Sequence, residues 1–134
     1  MNYTIYICEK KIEPFIMDNI KEFTKRLGRY CKIRIIHLKK EQEAVKMKQT
    51  NGEHYLVTNQ EESVSSEVFA NCIQSMEVHG IASCSFYINC NPQFDRMKQC
   101  SISKLTMAPG LTAAILCEQI YRGYRIIYGQ PYHK

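Results

Sequence analysis

Strand-like and helix-like patterns alternate along this chain, and that alternation restricts the fold more than any other feature of the sequence. The β-rich run from Tyr3 to Cys8 is followed by a stripe of helical period between Glu13 and Leu27, and Lys32 to Leu38 is again strand-like. Strands separated by helices join into parallel sheets because each crossover returns the chain to the same end. The sequence therefore predicts a single α/β domain over residues 1–134, with a largely parallel sheet flanked by helices.

The second half of the chain repeats this alternation. The polar stretch 39–48 is predicted to be a short exposed helix or a loop, and Ser101 to Met107 to be a short extended or irregular segment. Ligands of such sheets bind beyond the carboxyl ends of the strands, so 58–63, 89–94 and 107–110 are the candidate ligand-binding loops. The other predicted elements are strands at His54 to Thr58 and Ile81 to Ile88, a helix with its apolar stripe from Val68 to Met76, and a helix from Leu111 to Tyr128.

The composition excludes a membrane-spanning or disulfide-stapled protein. No apolar run approaches the length that a bilayer requires, and Met1 to Cys8 lacks the features of a signal peptide, so we expect a cytoplasmic protein. The seven cysteines are an odd number, and none forms a C-x-x-C pair. Most lie in apolar patterns, where cysteine behaves as a small hydrophobe, so reduced thiols and no metal site are expected.

Positive charge is concentrated in the last third of the chain. The net charge is +5, which moderately favours an anionic partner. Glu118 is the one acidic residue from position 96 onward. The basic residues of the same region are Arg96, Lys98, Lys104, Arg122, Arg125 and Lys134.

The last fourteen residues, 121–134, form the most distinctive segment. Their helical pattern stops at Gly129, and Pro131 predicts a turn before the terminal Tyr132-His133-Lys134. An aromatic ring, an imidazole and a cation can stack on a base, exchange a proton and hold a phosphate. Two interpretations remain open, a nucleic-acid site or a solvated basic helix end, since cations also favour helix C-termini. Arg122 and Arg125 lie three residues apart and share one helix face.

Three segments resemble the SPOUT methyltransferases, specifically the RlmH-type enzymes. They are Glu118 to Ile126, Gly129 to Lys134 and Ile102 to Met107. These enzymes methylate N3 of a pseudouridine in large-subunit ribosomal RNA, so the resemblance implies that reaction on the ribosome. It also implies a C-terminal trefoil knot, a homodimer and no metal. S-adenosylmethionine would be held in the knot by backbone groups of three loops, at Thr58, Asn89, Ile102, Ser103, Lys104, Leu105, Thr106 and Met107.

The resemblance also assigns roles to the C-terminal residues. Tyr132 and His133 match terminal residues associated with RNA binding and catalysis. With a side chain that ordinarily titrates near pH 6.5, His133 would act as base or proton relay, and Tyr132 would orient or stack on the nucleoside. Arg122, Arg125 and Lys134 would hold phosphates.

The chain departs from the family pattern around the cofactor loops. The Gly-Gly loop of the family is replaced by a run without glycine, 88–94, in which Asn89 or Asn91 could adopt the positive φ that glycine normally supplies. The family's Pro-His and following Arg are absent from 108–114. The loop after Thr58 carries Glu61 and Glu62 in place of Leu-Asp and Gly-Lys, and two regions, 38–51 and the segment before Ile102, are short for the family.

Three functional classes follow from this mixture of matches and departures. In the first, which we favour, the chain is a divergent methyltransferase whose loops bind the cofactor through main-chain groups. In the second it is a non-catalytic paralogue that binds RNA or another anionic partner. The third is a structural or regulatory dimer, and because RNA binding weakens steeply as salt rises, salt dependence distinguishes it from the second.

Overall fold

The computed structural model, which describes residues 1–60 and 62–132, contains five strands and four helices that alternate except where β5 follows β4 directly. No helix in that described part is long and apolar enough to cross a membrane. The strands are β1 (Asn2–Cys8), β2 (Lys32–Leu38), β3 (Glu53–Thr58), β4 (Ser83–Ile88) and β5 (Lys98–Ser101), and the helices are α1 (Pro14–Leu27), α2 (Gln42–Val45), α3 (Ser66–Val78) and α4 (Pro109–Ile127).

The strands form one sheet in the order β2-β1-β4-β3-β5, and every pairing is parallel. This confirms the predicted α/β class with a parallel sheet flanked by helices. Both central strands, β1 and β4, read as nearly continuous apolar runs, as expected of strands covered on both faces.

Local sequence signals explain where α3 begins and ends. The hydroxyl of Ser65 accepts a hydrogen bond from the Val68 backbone N–H at 3.1 Å, which caps the first turn. At the other end Gly80 has φ of 74°, and Ile81 N–H donates to the Met76 carbonyl at 2.9 Å. Helices commonly end at a residue in the left-handed conformation that is followed by a hydrogen bond of this kind. The prediction that Gly80 ends the helix is therefore confirmed.

One face of the sheet carries the main core, under α1, α3 and α4. Helix α4 lies between α1 and α3 and also contacts β1 and β4. From β1, Ile5 and Ile7 pack in the same buried cluster as Leu116 and Ile120 of α4, and all four are fully buried. Burying each such side chain stabilises the fold by about 1.5–3 kcal/mol, so α4 is held along the middle of the sheet.

The opposite face has a much thinner cover. Alternation along β1 turns Tyr6 and Cys8 to this side, where Tyr6 stacks on Tyr87 with ring centroids 4.9 Å apart. Helix α2 has only four residues, and the fully described segment 89–97 between β4 and β5 contains no helix. The two short regions noted in the sequence therefore lie in the two connections that cover this face, because β2→β3 and β4→β5 both cross the sheet in the direction opposite to α1 and α3.

The segment from Ser101 to Met107, predicted to be extended or irregular, is irregular from 102 onward, but the strand that precedes it was not predicted. The strand is Lys98–Ser101, paired with β3, and the region 102–107 that follows it is a loop. Strand β5 lies at the edge of the sheet and pairs with a neighbouring strand, β3, on only one of its two edges. Its sequence Lys-Gln-Cys-Ser therefore lacks the alternating hydrophobic pattern that a sequence reading requires.

Candidate functional site

A pocket of about 260 Å³ opens beyond the carboxyl ends of β3 and β4, where ligands of parallel sheets bind. It brings together Thr58 after β3, Asn89 after β4 and most of the loop after β5. Seven of the eight residues predicted to bind a cofactor line this pocket, and Lys104 is the exception. The full lining is Val57, Thr58, Asn59, Ile88, Asn89, Ile102, Ser103, Leu105, Thr106, Met107, Pro109 and Thr112.

Two side-chain contacts fasten the loop after β3 to the loop after β5. The Asn59 amide donates to the Thr106 hydroxyl at 3.0 Å, and the Lys104 ammonium pairs with the Glu62 carboxylate at 2.6 Å. Lys104 and Glu62 are both exposed, so Lys104 stands at the rim of the pocket rather than in its wall. The charge of Glu62 in the predicted acidic loop is matched by this lysine, and Glu61 lies outside the described residues.

Asn89 adopts the left-handed backbone conformation that glycine takes most easily. Its φ is 58°, and its side-chain amide donates to the Cys8 carbonyl at 2.9 Å. This confirms the prediction for Asn89, because asparagine tolerates the left-handed region better than most residues. Asn91 acts differently, since its side-chain oxygen accepts from the Gln93 backbone N–H at 2.9 Å. Cys90 is buried in the cluster on the thin face of the sheet and does not line the pocket.

The first turn of α4 closes the pocket in a way that the sequence did not indicate. The Gly110 backbone N–H donates to the Glu9 carboxylate at 3.0 Å. The negative charge of Glu9 is stabilised there by the positive end of the helix dipole. A Cβ at Gly110 would lie 2.8 Å from Ile12 Cγ2, so a larger residue there would force the Ile12 side chain to shift. Glu9 stands 101 positions before Gly110, and no local pattern links them. This is the helix start at which the family's imidazole and guanidinium are absent.

None of the described residues that line the pocket carries an ionisable side chain. The wall consists of apolar groups, chiefly Val57, Ile88, Ile102, Leu105 and Met107, with hydroxyl and amide groups between them. Recognition in this pocket therefore depends on shape, backbone groups and neutral hydrogen bonds.

The C-terminal end of α4 directs the tail back along the helix. Gly129 has φ of 63°, its N–H donates to the Ile126 carbonyl at 3.0 Å, and Gln130 N–H donates to the Arg125 carbonyl at 2.8 Å. Two such bonds around a left-handed glycine form a Schellman motif. The helix end predicted at Gly129 is thereby confirmed.

Arg125 holds the turn that follows. Its guanidinium donates to the Gln130 side-chain oxygen at 3.1 Å, to the Tyr30 hydroxyl at 3.3 Å and to the Pro131 carbonyl at 3.2 Å. Tyr30 also donates to Gln130 and stacks on Tyr124 with centroids 5.3 Å apart. Arg125 is therefore a structural anchor of the tail as well as a predicted phosphate contact.

Glu118 is the centre of a second set of contacts around Tyr132. Its carboxylate accepts hydrogen bonds from Arg122 Nε at 3.0 Å and from the Tyr132 hydroxyl at 3.1 Å, and Arg122 Nη2 lies 2.8 Å from it. The Tyr132 ring lies edge-on to Tyr121 at 4.9 Å and under the Arg122 guanidinium at 4.9 Å. Burial, followed by the nearby Glu118 carboxylate, raises the pKa of Tyr132. Sequence reasoning missed this role of Glu118, although its spacing of four from Arg122 was a usable signal.

The predicted tail residues are thus partly assembled in the structure. Arg122 and Arg125 are half-buried and engaged with the tail, unlike a freely solvated basic helix end. His133 and Lys134 lie outside the described residues. Tyr132 contacts Glu118, Tyr121 and Arg122, and none of these three lines the pocket.

The three described histidines make structural contacts. His54 is buried between the Tyr87 hydroxyl and the Thr50 carbonyl, each at 2.9 Å. His37 bonds the Glu9 carbonyl and His79 the Ser75 carbonyl. Across residues 1–60 and 62–132, no group of three or more His, Cys, Asp or Glu side chains is arranged to hold a metal ion.

A further surface, the groove between α1 and α4, exposes apolar side chains. Phe15 is 70% exposed and Leu111 40% exposed. Both line a groove of about 420 Å³ together with Phe23, Ala114 and Ile115. Large apolar side chains in such a shared groove are typical of an interaction surface.

Comparison with known proteins gives a consistent result over the whole length. A family model described as "Predicted SPOUT methyltransferase" matches residues 1–133. The protein named "Ribosomal RNA large subunit methyltransferase H 1" from Thermoanaerobacter sp. (strain X514) is 36% identical over 134 residues, with 100% of both chains covered. The protein named "Ribosomal RNA large subunit methyltransferase H" from Clostridium beijerinckii is 35% identical, again with 100% of both chains covered.

These alignments bear on the two regions that were predicted to be short. The alignment with the Clostridium protein spans 160 positions, more than the 134 residues of this chain, so that protein carries segments that this chain lacks. The alignment with the Thermoanaerobacter protein spans 134. The short form is therefore shared with a protein that carries the methyltransferase name.

Proposed function

Because this chain belongs to the SPOUT methyltransferase family, we propose that it transfers a methyl group from S-adenosylmethionine to N3 of a pseudouridine in large-subunit ribosomal RNA. The observation that carries the proposal is the pocket beyond β3 and β4, which gathers Thr58, Asn89 and the loop 102–107 around one space. That assembly supports catalysis over the non-catalytic alternative, since the altered loops still enclose a pocket.

The residues of the pocket fit the cofactor. When bound, S-adenosylmethionine supplies a methyl group that is already electrophilic on its sulfonium, so the protein needs no metal for activation. Apolar side chains such as Ile102, Leu105 and Met107 would pack against its nucleoside, and backbone groups of the three loops would hold its polar atoms. The left-handed backbone at Asn89 (φ 58°) gives that loop a conformation that glycine adopts most easily, which supports close approach of its backbone to a ligand.

The tail would act on the nucleoside and the RNA backbone. His133 would remove the N3 proton, since a base with a pKa near neutral is efficient at physiological pH. Tyr132, fixed by Glu118 and Tyr121, would orient the base, because a ring that is already ordered loses little entropy on binding. Lys134, Arg122 and Arg125 would hold phosphates.

We further propose that the enzyme is a homodimer. Glu118, which holds Tyr132, lies six residues beyond Thr112 of the pocket, or roughly 9 Å along the helix axis. A second copy could bring one chain's tail to the other chain's pocket, and the groove with exposed Phe15 and Leu111 between α1 and α4 offers an apolar contact for it. The trefoil knot and a cytoplasmic location beside the ribosome complete the proposal.

Calorimetric titration of the purified protein with S-adenosylmethionine, taken to millimolar ligand, tests the cofactor site. We expect saturable binding at about one site per chain. Methyl transfer from labelled cofactor to ribosomes, with the modified nucleoside identified by mass spectrometry, tests the reaction. A folded protein that gives no binding heat and labels no ribosomes would favour the non-catalytic paralogue, and its RNA affinity would then be measured against salt concentration.

A further inference from the structure

Two neighbouring buried hydroxyl groups, one on a residue that lines the cofactor pocket and one on a residue just outside it, have no hydrogen-bond partner. They are Thr58 Oγ1 and Ser101 Oγ. Among the described residues only one other buried side-chain nitrogen or oxygen, Arg125 Nε, shares this condition. Folded proteins pair nearly all such groups, because an unpaired buried hydroxyl gives up its hydrogen bonds to water without replacement.

The two hydroxyls are neighbours in the sheet. Thr58 and Ser101 are the last register partners of the β3–β5 ladder, so their Cα atoms lie about 4.8 Å apart and their side chains point to the same face. Thr58 lines the pocket, and Ser101 is followed directly by Ile102, which also lines it. Two of the three unpaired groups therefore stand side by side where the pocket begins.

Rotation of one side-chain bond would bring the Thr58 hydroxyl into the pocket. Thr58 is partly exposed as a residue, although its Oγ1 is buried, so the hydroxyl is turned inward. Exchange of the hydroxyl and methyl positions about χ1 is a move between staggered rotamers. In the rotated form Thr58 Oγ1 can accept a hydrogen bond from Ser101 and donate one to a ligand, which satisfies both groups.

We infer that the Thr58 hydroxyl recognises a hydrogen-bond acceptor atom of the bound cofactor and that Ser101 is its positioning residue. This inference rests on the proposed function of the pocket. It has a distinctive consequence, because a hydroxyl that is unpaired in the free protein and paired in the complex affects stability and affinity in opposite directions.

The test is a titration with S-adenosylmethionine of the full-length wild-type protein and of Thr58→Val, Thr58→Ser and Ser101→Ala. Valine keeps the shape of threonine and removes only the hydroxyl, so we expect affinity to fall about 5–10-fold, the usual value of one neutral hydrogen bond. Thr58→Ser keeps the hydroxyl and should stay within about twofold of wild type, and Ser101→Ala should weaken binding about threefold. The double variant should bind like Thr58→Val, because Ser101 acts through Thr58.

Matched controls remove hydroxyls far from the pocket. Thr24→Val removes an exposed hydroxyl that bonds the Lys21 carbonyl, and Ser75→Ala removes an exposed one at the end of α3. Both should leave cofactor affinity unchanged. Thermal unfolding without ligand adds a second readout, in which Thr58→Val should unfold at the same or a higher temperature than wild type.

The outcomes separate this inference from the function on which it rests. If the wild-type protein binds S-adenosylmethionine and Thr58→Val binds it equally tightly, the inference is overturned and the proposed function stays intact. A lower unfolding temperature of Thr58→Val in parallel with lost affinity would also overturn it, because the hydroxyl would then serve the fold. Absence of binding by the wild-type protein would overturn both.

Discussion

The two ends of helix α4 are built on different principles. At its N-terminal end the pocket is enclosed by loops, and none of the described residues in its wall carries an ionisable side chain. The loop conformation depends on backbone geometry such as the positive φ of Asn89. At its C-terminal end a network of charged and aromatic side chains, centred on Glu118 and Arg125, fixes the tail.

This difference predicts that the two ends respond differently to side-chain changes. Backbone groups bind a ligand whatever side chain follows them, provided that the backbone conformation is kept, so the pocket tolerates substitution. A carboxylate that accepts from both an arginine and a tyrosine tolerates almost none, because each donor left unpaired carries a desolvation cost. We therefore expect side-chain changes at the tail to have larger effects than changes at the pocket rim.

The largest effect is expected at His133. Replacement with alanine removes the proposed base and should lower methyl transfer at least tenfold, in line with the typical 10²–10⁴-fold contribution of general acid–base catalysis. Cofactor affinity should stay unchanged, because His133 is proposed to act on the nucleoside and not to bind the cofactor. His79→Ala, which removes an exposed histidine from the end of α3, is the matched control. Unchanged turnover of His133→Ala on ribosomes would remove His133 from the mechanism.

The two ends should also differ in their response to pH. A histidine base must be neutral to accept a proton, so methyl transfer should rise about tenfold between pH 5.5 and 7.5 if the imidazole titrates near its ordinary value of about 6.5. Cofactor affinity between pH 5.5 and 7 should stay flat, because the part of the pocket wall that the structure describes has no ionisable side chain. Single-turnover rates and calorimetric titrations over this range provide the comparison. Parallel changes in both quantities would contradict the assignment of the titrating group to the tail.

Removing the charge of Glu118 should have a moderate effect on the reaction. Glu118→Gln keeps the shape of the side chain but weakens its charge-assisted bonds to Arg122 and Tyr132, so methyl transfer should fall about fivefold at unchanged cofactor affinity. Glu22→Gln is a close control, because it breaks an exposed glutamate–arginine pair of the same i,i+4 spacing on α1. Equal rates for the two variants would show that the order of Tyr132 does not limit the reaction.

The smallest effect is expected at Lys104. Its partner Glu62 is 87% exposed and Lys104 itself 61% exposed, and exposed ion pairs of this kind are weak. Lys104→Ala should therefore change cofactor affinity less than about twofold, as measured by the same titration. Lys98→Ala, which breaks the pair with Glu53 at the starts of β5 and β3, serves as the control outside the pocket. A tenfold loss for Lys104→Ala alone would mean that Lys104 contacts the cofactor directly.

Patterns of apolar period predicted most of the fold. Strand β2 has the predicted bounds, Lys32–Leu38, and α1 begins and ends within one residue of its predicted range. The helix ends at Gly80 and Gly129 were also predicted, since glycine readily adopts the left-handed conformation that ends a helix. The edge strand β5 was not predicted, because an edge strand is less buried and its sequence therefore needs no regular pattern of apolar residues.

The candidate site was only partly accessible from the sequence. The three loops were predicted from their position after strands and from the family resemblance, and the structure places them together. The contacts of Glu9 with Gly110 and of Asn59 with Thr106 join segments 101 and 47 positions apart. No local periodicity records such pairs, because they arise only when the chain returns to the same end of the sheet.

The strand order also has a consequence for the time during which the protein is made. Strand β1 is the first to leave the ribosome, but one of its two partners is β4, with Asn2 opposite Ser83. At a synthesis rate of about 5–20 residues per second, roughly 4–16 s pass between the two. Throughout that interval the β-rich edge of Tyr3 to Cys8 is open to pairing with other chains. The sheet can therefore close around β1 only after the fourth strand has been made.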